Sequence, residues 1–303
     1  MKSEPKRNLA ASVRQRLLNL SQRRKEPFER VLVRFGIERL LYRLSRSAHA
    51  NKFLLKGAML FSIWTDGTHR PTRDVDLLGF GSSDTDELKQ IFVELCGLVV
   101  EPDGLRFFAE SVTAAPIREE ATYPGVRVTL EARLENARVP LQVDIGFGDV
   151  VTPAPEEVQF PALLDFEAPH IRAYPIYTVV AEKLEAVVRL GEANTRMKDF
   201  FDLWFLGRRF SFDGEALCEA IARTFARRET ELPKASPSSL GPEFAERKAA
   251  MWTMFVRRSG LNALEMKETL EAIRVFAWPA LESAANAATL RARWSPEQGW
   301  KSL

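Results

Sequence analysis

A chain of 303 residues is long enough for one large domain or two of ordinary size. Hydrophobic residues make up 46% and charged residues 28%, as in globular proteins, and no apolar run is long enough to predict a membrane span. The formal net charge of +2 excludes a polyelectrolyte, and the two cysteines lack metal-ligand spacing, which is typical of a reduced, cytoplasmic protein.

Basic residues are concentrated at the start of the chain. Residues 1–25 contain eight Lys or Arg side chains and a single acid, Glu4. Such a cluster is either the solvated face of a helix or a surface that follows the phosphates of a nucleic acid. Residues 8–48 are predicted to be helical, with Pro27 near a helix start. The N-terminus lacks the apolar core of a secretory signal.

The middle of the chain is predicted to mix helices and strands. We predict a mostly buried helix over 52–64, with Gly57 near its beginning, a short strand over 74–80 and an amphipathic helix over 85–99. Alternating apolar and polar residues predict two paired strands, 125–134 and 139–149. Five prolines between residues 152 and 177 predict an extended connection.

The rest of the chain is predicted to be helical, so that all strands lie in the middle. The helices expected cover residues 178–190, 197–209, 214–228, 243–259, 261–278 and 280–294. This layout predicts N-terminal helices (1–50) that pack on an α/β core (51–165), followed by a helical domain (166–303).

Two carboxylates lie two residues apart in the stretch HRPTRDVDLLGFG, residues 69–81. Residues i and i+2 of a strand share a face, so the side chains of Asp74 and Asp76 should lie roughly 6–7 Å apart. Like charges at that distance repel unless a cation lies between them, and carboxylate oxygens suit Mg²⁺. The alternative is a polar strand end at which both acids face water.

Further features bear on this alternative. Asp144 interrupts an apolar strand, and it would either share a metal with Asp74 and Asp76 or face solvent. Gly57 would let the backbone approach a phosphate, or it would simply allow close packing.

Charged residues also interrupt the apolar faces of two predicted helices. Lys183 would either bind phosphate or extend along its helix to water. Asp199 and Asp202 share a face of a very apolar helix and need a cation, for which the structural option is ion pairing with Arg196, Lys198 or Lys183. Together with the strand acids, these residues fit nucleotidyl transfer by in-line displacement between two Mg²⁺ ions.

The motifs resemble those of a known family. LLKGAMLFSIW followed by HRPTRDVDLLGFG resembles the first motif of the DNA polymerase β-like nucleotidyltransferases. AEKLEAVVRLG, RMKDFFDLW and FARRETELP extend the resemblance to the AbiEii/AbiGii toxins of type IV toxin–antitoxin systems, which include the MenT toxins. The implied fold is α+β, with a polymerase β-like nucleotidyltransferase core, a short mixed sheet flanked by helices, followed by a C-terminal helical bundle.

The resemblance implies a role for each motif residue. Asp74 and Asp76 would hold the metals with Asp144 as a third ligand, and Lys183 and Asp199 would complete the catalytic set. The residues that would bind the nucleotide are Lys56, Gly57, Arg73, Asp144 and Asp202.

The activity implied is transfer of nucleotides, with pyrimidines and CTP favoured, from an NTP to the 3′ acceptor end of tRNA. The cofactor would be Mg²⁺, as two ions, and the partner an AbiEi-type antitoxin, with no membrane involved. The family usually has Gly or Ser after the motif glycine, whereas Ala58 here cannot donate a hydroxyl hydrogen bond. Two alternatives stay open: nucleotide transfer to a small molecule or protein hydroxyl, and a non-catalytic RNA-binding module.

Overall fold

The computed structural model describes residues 8–65, 72, 74–117 and 125–303. The chain divides into two compact units. The first comprises Met1–Gly148 and Glu156–Ala173, and the second comprises Asp149–Pro155 and Tyr174–Leu303. The N-terminal helices therefore belong to the same unit as the strands that carry the predicted acids.

The first unit combines four helices with a seven-stranded sheet in its described residues. The helices are α1 (Leu9–Arg24), α2 (Phe28–Ser45), α3 (Phe61–Trp64) and α4 (Thr85–Gly97). The strands are β1 (Phe53–Lys56), β2 (Asp74–Gly79), β3 (Leu105–Pro116), β4 (Gly125–Leu134), β5 (Ala137–Phe147), β6 (Glu156–Gln159) and β7 (His170–Ala173). Asn8 and Asp84 begin α1 and α4 with side-chain oxygens that accept backbone N–H bonds.

The sheet is mixed, with strand order β3-β4-β5-β2-β1-β7-β6. β2 pairs in parallel with β5 and β1 in parallel with β7, and the other neighbours are antiparallel. β2 therefore lies in the interior of the sheet, between β1 and β5. This mixed α+β arrangement is the predicted fold class.

In the β4–β5 part of the sheet, one face is buried and the opposite face carries the polar residues. Along β4 and β5 the buried residues alternate with more exposed ones, as the period-2 pattern of a strand requires. α2 packs against the buried face, because a Cβ at Gly36 would lie 2.8 Å from Val139 Cγ1 and 3.0 Å from Leu141 Cδ2. The polar face therefore lies opposite this helix.

The predicted hairpin is confirmed, but two local predictions are wrong. The strands run over 125–134 and 137–147. Residues 52–64 are not one helix, because Phe53–Lys56 pair with β2 and only a 3₁₀ turn (Gly57–Leu60) and the short α3 follow. The strand Leu105–Pro116 was not predicted, because its register is broken between Phe108 and Thr113 and the alternation is lost.

The second unit is helical with a small sheet. Its helices are α5 (Ile176–Leu190), α6 (Met197–Arg209), α7 (Gly214–Arg227), α8 (Pro242–Ser259) and α9 (Met266–Ala285). Its strands are β8 (Phe212–Asp213), β9 (Ala292–Ser295) and β10 (Gly299–Ser302), in the order β10-β9-β8. The prediction that all strands lie in the middle of the chain is therefore wrong.

The C-terminal hairpin is fixed by aromatic packing that a helical pattern does not reveal. Trp294 lies 5.1 Å from Phe276, ring centroid to ring centroid, and its indole N–H donates to the Gly207 carbonyl at 2.7 Å. Residues 261–278 and 280–294 do not form two helices, because α9 continues through Pro279. Both cysteines are free thiols, and within the described residues no helix combines the length and hydropathy that crossing a bilayer requires.

Candidate active site

The acids of the D-x-D stretch lie on the polar face of the first unit's sheet. Val75 and Leu77 of β2 are buried, while Asp74 and Asp76 alternate with them and are partly exposed. The predicted common face of the two acids is therefore present at the start of an interior strand. A seam of polar side chains crosses the sheet at this level.

The seam through Asp76, here called the acidic seam, contains four charged side chains, one from each of four strands. Lys56 is the register partner of Asp76, Asp76 of Asp144, and Asp144 of Arg127. Direct partners in a sheet project from the same face, so two neighbouring acids lie between two cations. The cations offset the repulsion that the acids would otherwise experience.

Each cation of this seam has a defined position. Arg127 donates to both carboxylate oxygens of Asp144, from Nε at 2.8 Å and from Nη2 at 2.7 Å. The ammonium of Lys56 lies against β5, since a Cβ at Gly146 would be 3.4 Å from Lys56 Nζ. Arg127 was not among the predicted site residues, although its place on the polar side of the predicted strand 125–134 was the signal for it.

Gly57 lies directly against the carboxylate of Asp76. A Cβ at this position would be 2.0 Å from Asp76 Oδ2 and 2.8 Å from Asp76 Cβ, and the backbone φ is +74°. Both the space and the backbone conformation therefore require glycine. The close approach at Gly57 is made to a carboxylate of the site, the approach to a phosphate stays a prediction, and Ala58 beside it is buried.

The donor set suits a divalent cation bound mainly by substrate. Mg²⁺ is commonly held by one or two carboxylates together with substrate phosphates and water, and Asp74 and Asp76 offer such a pair. In the described part of the chain, no three His, Cys, Asp or Glu side chains are grouped so that they could hold a metal. The carboxylate of Asp144 is bound by Arg127, so its role as a third ligand stays a prediction.

The predicted residues of the second unit form a buried ion cluster. Lys183 Nζ of α5 lies 2.9 Å from Asp199 Oδ1 and 2.6 Å from Asp202 Oδ2, both on α6. Arg196 Nε approaches the other oxygen of Asp199 at 2.8 Å. Burial alone would raise the pKa of Asp199, but Lys183 and Arg196 hold it below its ordinary value. The ion pairing left open by the sequence is thus present.

When the sequence is compared with known protein families, one family matches most of the chain. The sequence profile of a family described as "Nucleotidyl transferase AbiEii toxin, Type IV TA system" matches residues 39–286. The chain belongs to the AbiEii family. The match includes the seam of β2 and β5 in the first unit and the Lys183 cluster in the second.

Membership of the AbiEii family gives the coarse function. The chain is a nucleotidyltransferase of the toxin type, for which an NTP substrate and an antitoxin partner are implied. Among solved structures, JHP933 from Helicobacter pylori is similar at 14% identity over 82% of this chain and 90% of that one, with a TM-score of 0.47. A second H. pylori structure, of a protein proposed to be a nucleotidyltransferase, is 14% identical over 82% and 92%, with a TM-score of 0.44. No curated protein sequence matches.

One further ion cluster in this AbiEii chain was missed by sequence reasoning. Arg228 lies 2.9 Å from Asp149, 3.1 Å from Glu182 and 2.9 Å from Glu185. Arg228 was not among the predicted site residues, and its side chain is largely buried. No local signal could have found this cluster, because the carboxylates come from other elements.

Arg73 was predicted to bind the nucleotide and lies outside the described residues. Five of the predicted site residues lie together in the first unit: Lys56, Gly57, Asp74, Asp76 and Asp144. A separate cluster of the second unit contains Lys183, Asp199 and Asp202.

Proposed function

We propose that this AbiEii chain transfers a nucleotide, with pyrimidines favoured, from an NTP to the 3′ end of tRNA and so stops translation. The reaction would depend on a divalent metal bound by Asp74 and Asp76. The observation that carries the proposal is the Gly57–Asp76 contact beside Asp74. Two carboxylates lie on one face of β2, and the backbone of residue 57 lies close to one of them.

The reaction requires positioning more than covalent chemistry by the protein. The acceptor hydroxyl attacks the α-phosphorus, a new P–O bond forms as the α–β P–O bond breaks, pyrophosphate leaves and the hydroxyl proton is released to water. A divalent ion held by Asp74 and Asp76 would neutralise triphosphate charge. Lys56 lies on the same face and would contact phosphate oxygens as a second positive charge.

The remaining residues position these groups. Arg127 holds the carboxylate of Asp144 on both oxygens, so that Asp144 presents a fixed charge next to Asp76. We assign Lys183 the triphosphate contact that the resemblance implies, with Asp199 and Asp202 fixing the direction of its ammonium.

The test is a transfer assay with purified protein, tRNA and each of the four NTPs labelled at the α-phosphate. Label should appear at the RNA 3′ end, most strongly with CTP, and chelation of divalent metal should abolish it. Asp74→Asn and Asp76→Asn should each lower the rate at least about a hundredfold while leaving the unfolding transition in place. Asp86→Asn, an exposed acid in the first turn of α4, is the matched control.

Other results would contradict the proposal in distinct ways. Label on a protein or a small molecule, with none on RNA, would make a different hydroxyl the acceptor. Failure to bind any NTP in the presence of Mg²⁺, measured by calorimetry, would favour the non-catalytic RNA-binding alternative.

A further inference from the structure

Three arginines lie side by side on the polar face of the sheet, away from the acidic seam. Arg106 of β3 is the register partner of Arg133 of β4, and Arg133 is the partner of Arg138 of β5. All three are exposed, with 47% of the Arg133 side chain and 74% of the Arg138 side chain accessible. We call these three residues the arginine row.

Neighbouring side chains hold the arginine row in place. The guanidinium groups of Arg106 and Arg133 lie 4.8 and 4.9 Å from the ring centroid of Phe108. Glu131 accepts from Arg133 Nε at 2.8 Å and from Arg138 Nε at 2.7 Å. One acid among three arginines leaves a local charge of +2, presented by side chains that are already ordered.

The row lies on the same face as the acids of the candidate site. Arg138 and Asp144 are six residues apart on β5, which places the row roughly 20 Å from the acidic seam at about 3.3 Å per residue. The face between them is polar, with the Thr113 and Thr129 hydroxyls bonded to each other at 2.8 Å and Gln142 in the adjacent register. The arginine row and the acidic seam therefore lie on one continuous polar face of β4 and β5.

We propose that the arginine row binds the sugar-phosphate backbone of the RNA acceptor a few nucleotides before the 3′ end that receives the nucleotide. This inference rests on the proposed function and adds the surface that recognises the acceptor. The planar fork of Arg binds phosphate oxygens bidentately, and the ring of Phe108 offers an aromatic surface of the kind on which bases stack.

The distance between the arginine row and the acids indicates that the row binds RNA and not the triphosphate of the NTP. A row roughly 20 Å from Asp144 lies beyond the reach of a triphosphate bound at the acids, so it serves a longer ligand. An extended polyanion lying along β4 and β5 meets both ends of the polar face. When the 3′ end of the RNA lies at Asp76, the phosphates a few nucleotides before it therefore lie at the arginine row.

The test compares two double variants with equal loss of charge. Arg106→Gln/Arg138→Gln removes two members of the row and leaves the Arg133–Glu131 pair intact. Arg258→Gln/Arg293→Gln removes two exposed arginines of the second unit. Binding of a tRNA transcript with a free 3′ hydroxyl is measured by fluorescence anisotropy without NTP at several salt concentrations, and transfer kinetics are measured for tRNA and for NTP.

The row variant should bind tRNA roughly tenfold more weakly, and the slope of log K against log salt should fall by about 1.4, which is 0.7 per lost single-strand phosphate contact. Its KM for tRNA should rise, with kcat and the KM for NTP near wild type. The control variant should change none of these by more than about twofold.

Equal tRNA affinity and salt slope in the two variants would overturn the proposal. So would a row variant that keeps its tRNA affinity but loses capture of the co-expressed antitoxin, which would make the row a protein interface. A wild-type protein that binds tRNA but adds no nucleotide would refute the proposed function alone, and the binding comparison would still decide the role of the row.

Discussion

Substituting Gly57 by alanine should disable the site through one added methyl group. The new Cβ would lie 2.0 Å from Asp76 Oδ2, 2.6 Å from Cγ and 2.8 Å from Cβ, whereas ordinary contacts begin near 3.4 Å. Rotation of the Asp76 side chain moves the oxygen and Cγ, but Asp76 Cβ is fixed to β2. The backbone at residue 57 must therefore also move away from β2.

The size of the displacement sets the expected loss. Restoring ordinary contact requires the carboxylate oxygen to move by about 1.4 Å, and misplacement of a reacting group by about 1 Å can cost a hundredfold in rate. The positive φ adds about 1–2 kcal/mol of backbone strain for any residue other than glycine. We therefore expect Gly57→Ala to lose at least about a hundredfold in transfer rate and about 1–2 kcal/mol or more in stability.

Gly81→Ala is the matched control for backbone strain. Gly81 also has a positive φ, +99°, but no heavy atom lies within 4 Å of its added Cβ. It should lose about 1–2 kcal/mol in urea unfolding and keep its transfer rate within a few fold. Rates are measured with labelled NTP and tRNA at a temperature where both variants are folded.

The reasoning is refuted if Gly57→Ala transfers nucleotide as fast as Gly81→Ala. An equally slow Gly81→Ala would show that backbone strain near β2, and not the contact with Asp76, limits the rate. Affinity for Mn²⁺ provides a second readout. Gly57→Ala should weaken metal binding and Gly81→Ala should leave it unchanged.

Three further predictions concern buried charges. Arg228→Met removes the guanidinium that contacts Asp149, Glu182 and Glu185 and should cost about 3–5 kcal/mol in urea unfolding, whereas exposed Arg227→Met should cost less than about 1 kcal/mol. Burial raises the pKa of Glu38 from 4.5 to about 7. The stability that protonated Glu38 contributes is complete below pH 4.5 and is lost as the pH rises through about 7. The loss amounts to up to about 3 kcal/mol of unfolding free energy. A Glu38→Gln variant should lack this decline when unfolding free energy is measured against pH. The wild-type protein should lose stability as the pH falls through the lowered pKa of Asp199. In Lys183→Met the pKa of Asp199 should rise, so unfolding free energy measured against pH should no longer show this loss at the low pKa.

The polar and buried faces of the strands could be predicted from sequence because they depend on local alternation. The segment 125–134 was recognised from alternation alone, and the common face of Asp74 and Asp76 follows from the same period of two. Helix α4 was also predicted correctly, since the apolar spacing that indicates it is a local signal.

Pairing beyond the hairpin could not be predicted, because it depends on residues distant in sequence. Nothing near Asp144 indicates that Asp76 lies beside it, and nothing near Arg228 names its three acidic partners. The strand Phe53–Lys56 was read as helix because a short apolar run has no period of its own. Its pairing with β2 decides its conformation.

The arginine row depends on an irregularity in β3. Phe108 and Thr113 are five residues apart, so a regular strand would place them on opposite faces. The register instead pairs Phe108 with Glu131 and Thr113 with Thr129, which share a face of β4. The extra residues of β3 are accommodated at this bulge.

Ser111 compensates for the backbone pairing that the bulge interrupts. Its hydroxyl accepts from the Glu131 N–H at 2.8 Å and donates to the Phe108 carbonyl at 2.6 Å. Because of the bulge, Arg106 and Phe108 lie on the polar face while Val112 remains buried. A regular β3 that kept Thr113 on the polar face would turn Arg106 toward the buried face, where an unpaired guanidinium is costly. The bulge therefore allows one sheet to carry both the acidic seam and the arginine row on a single face.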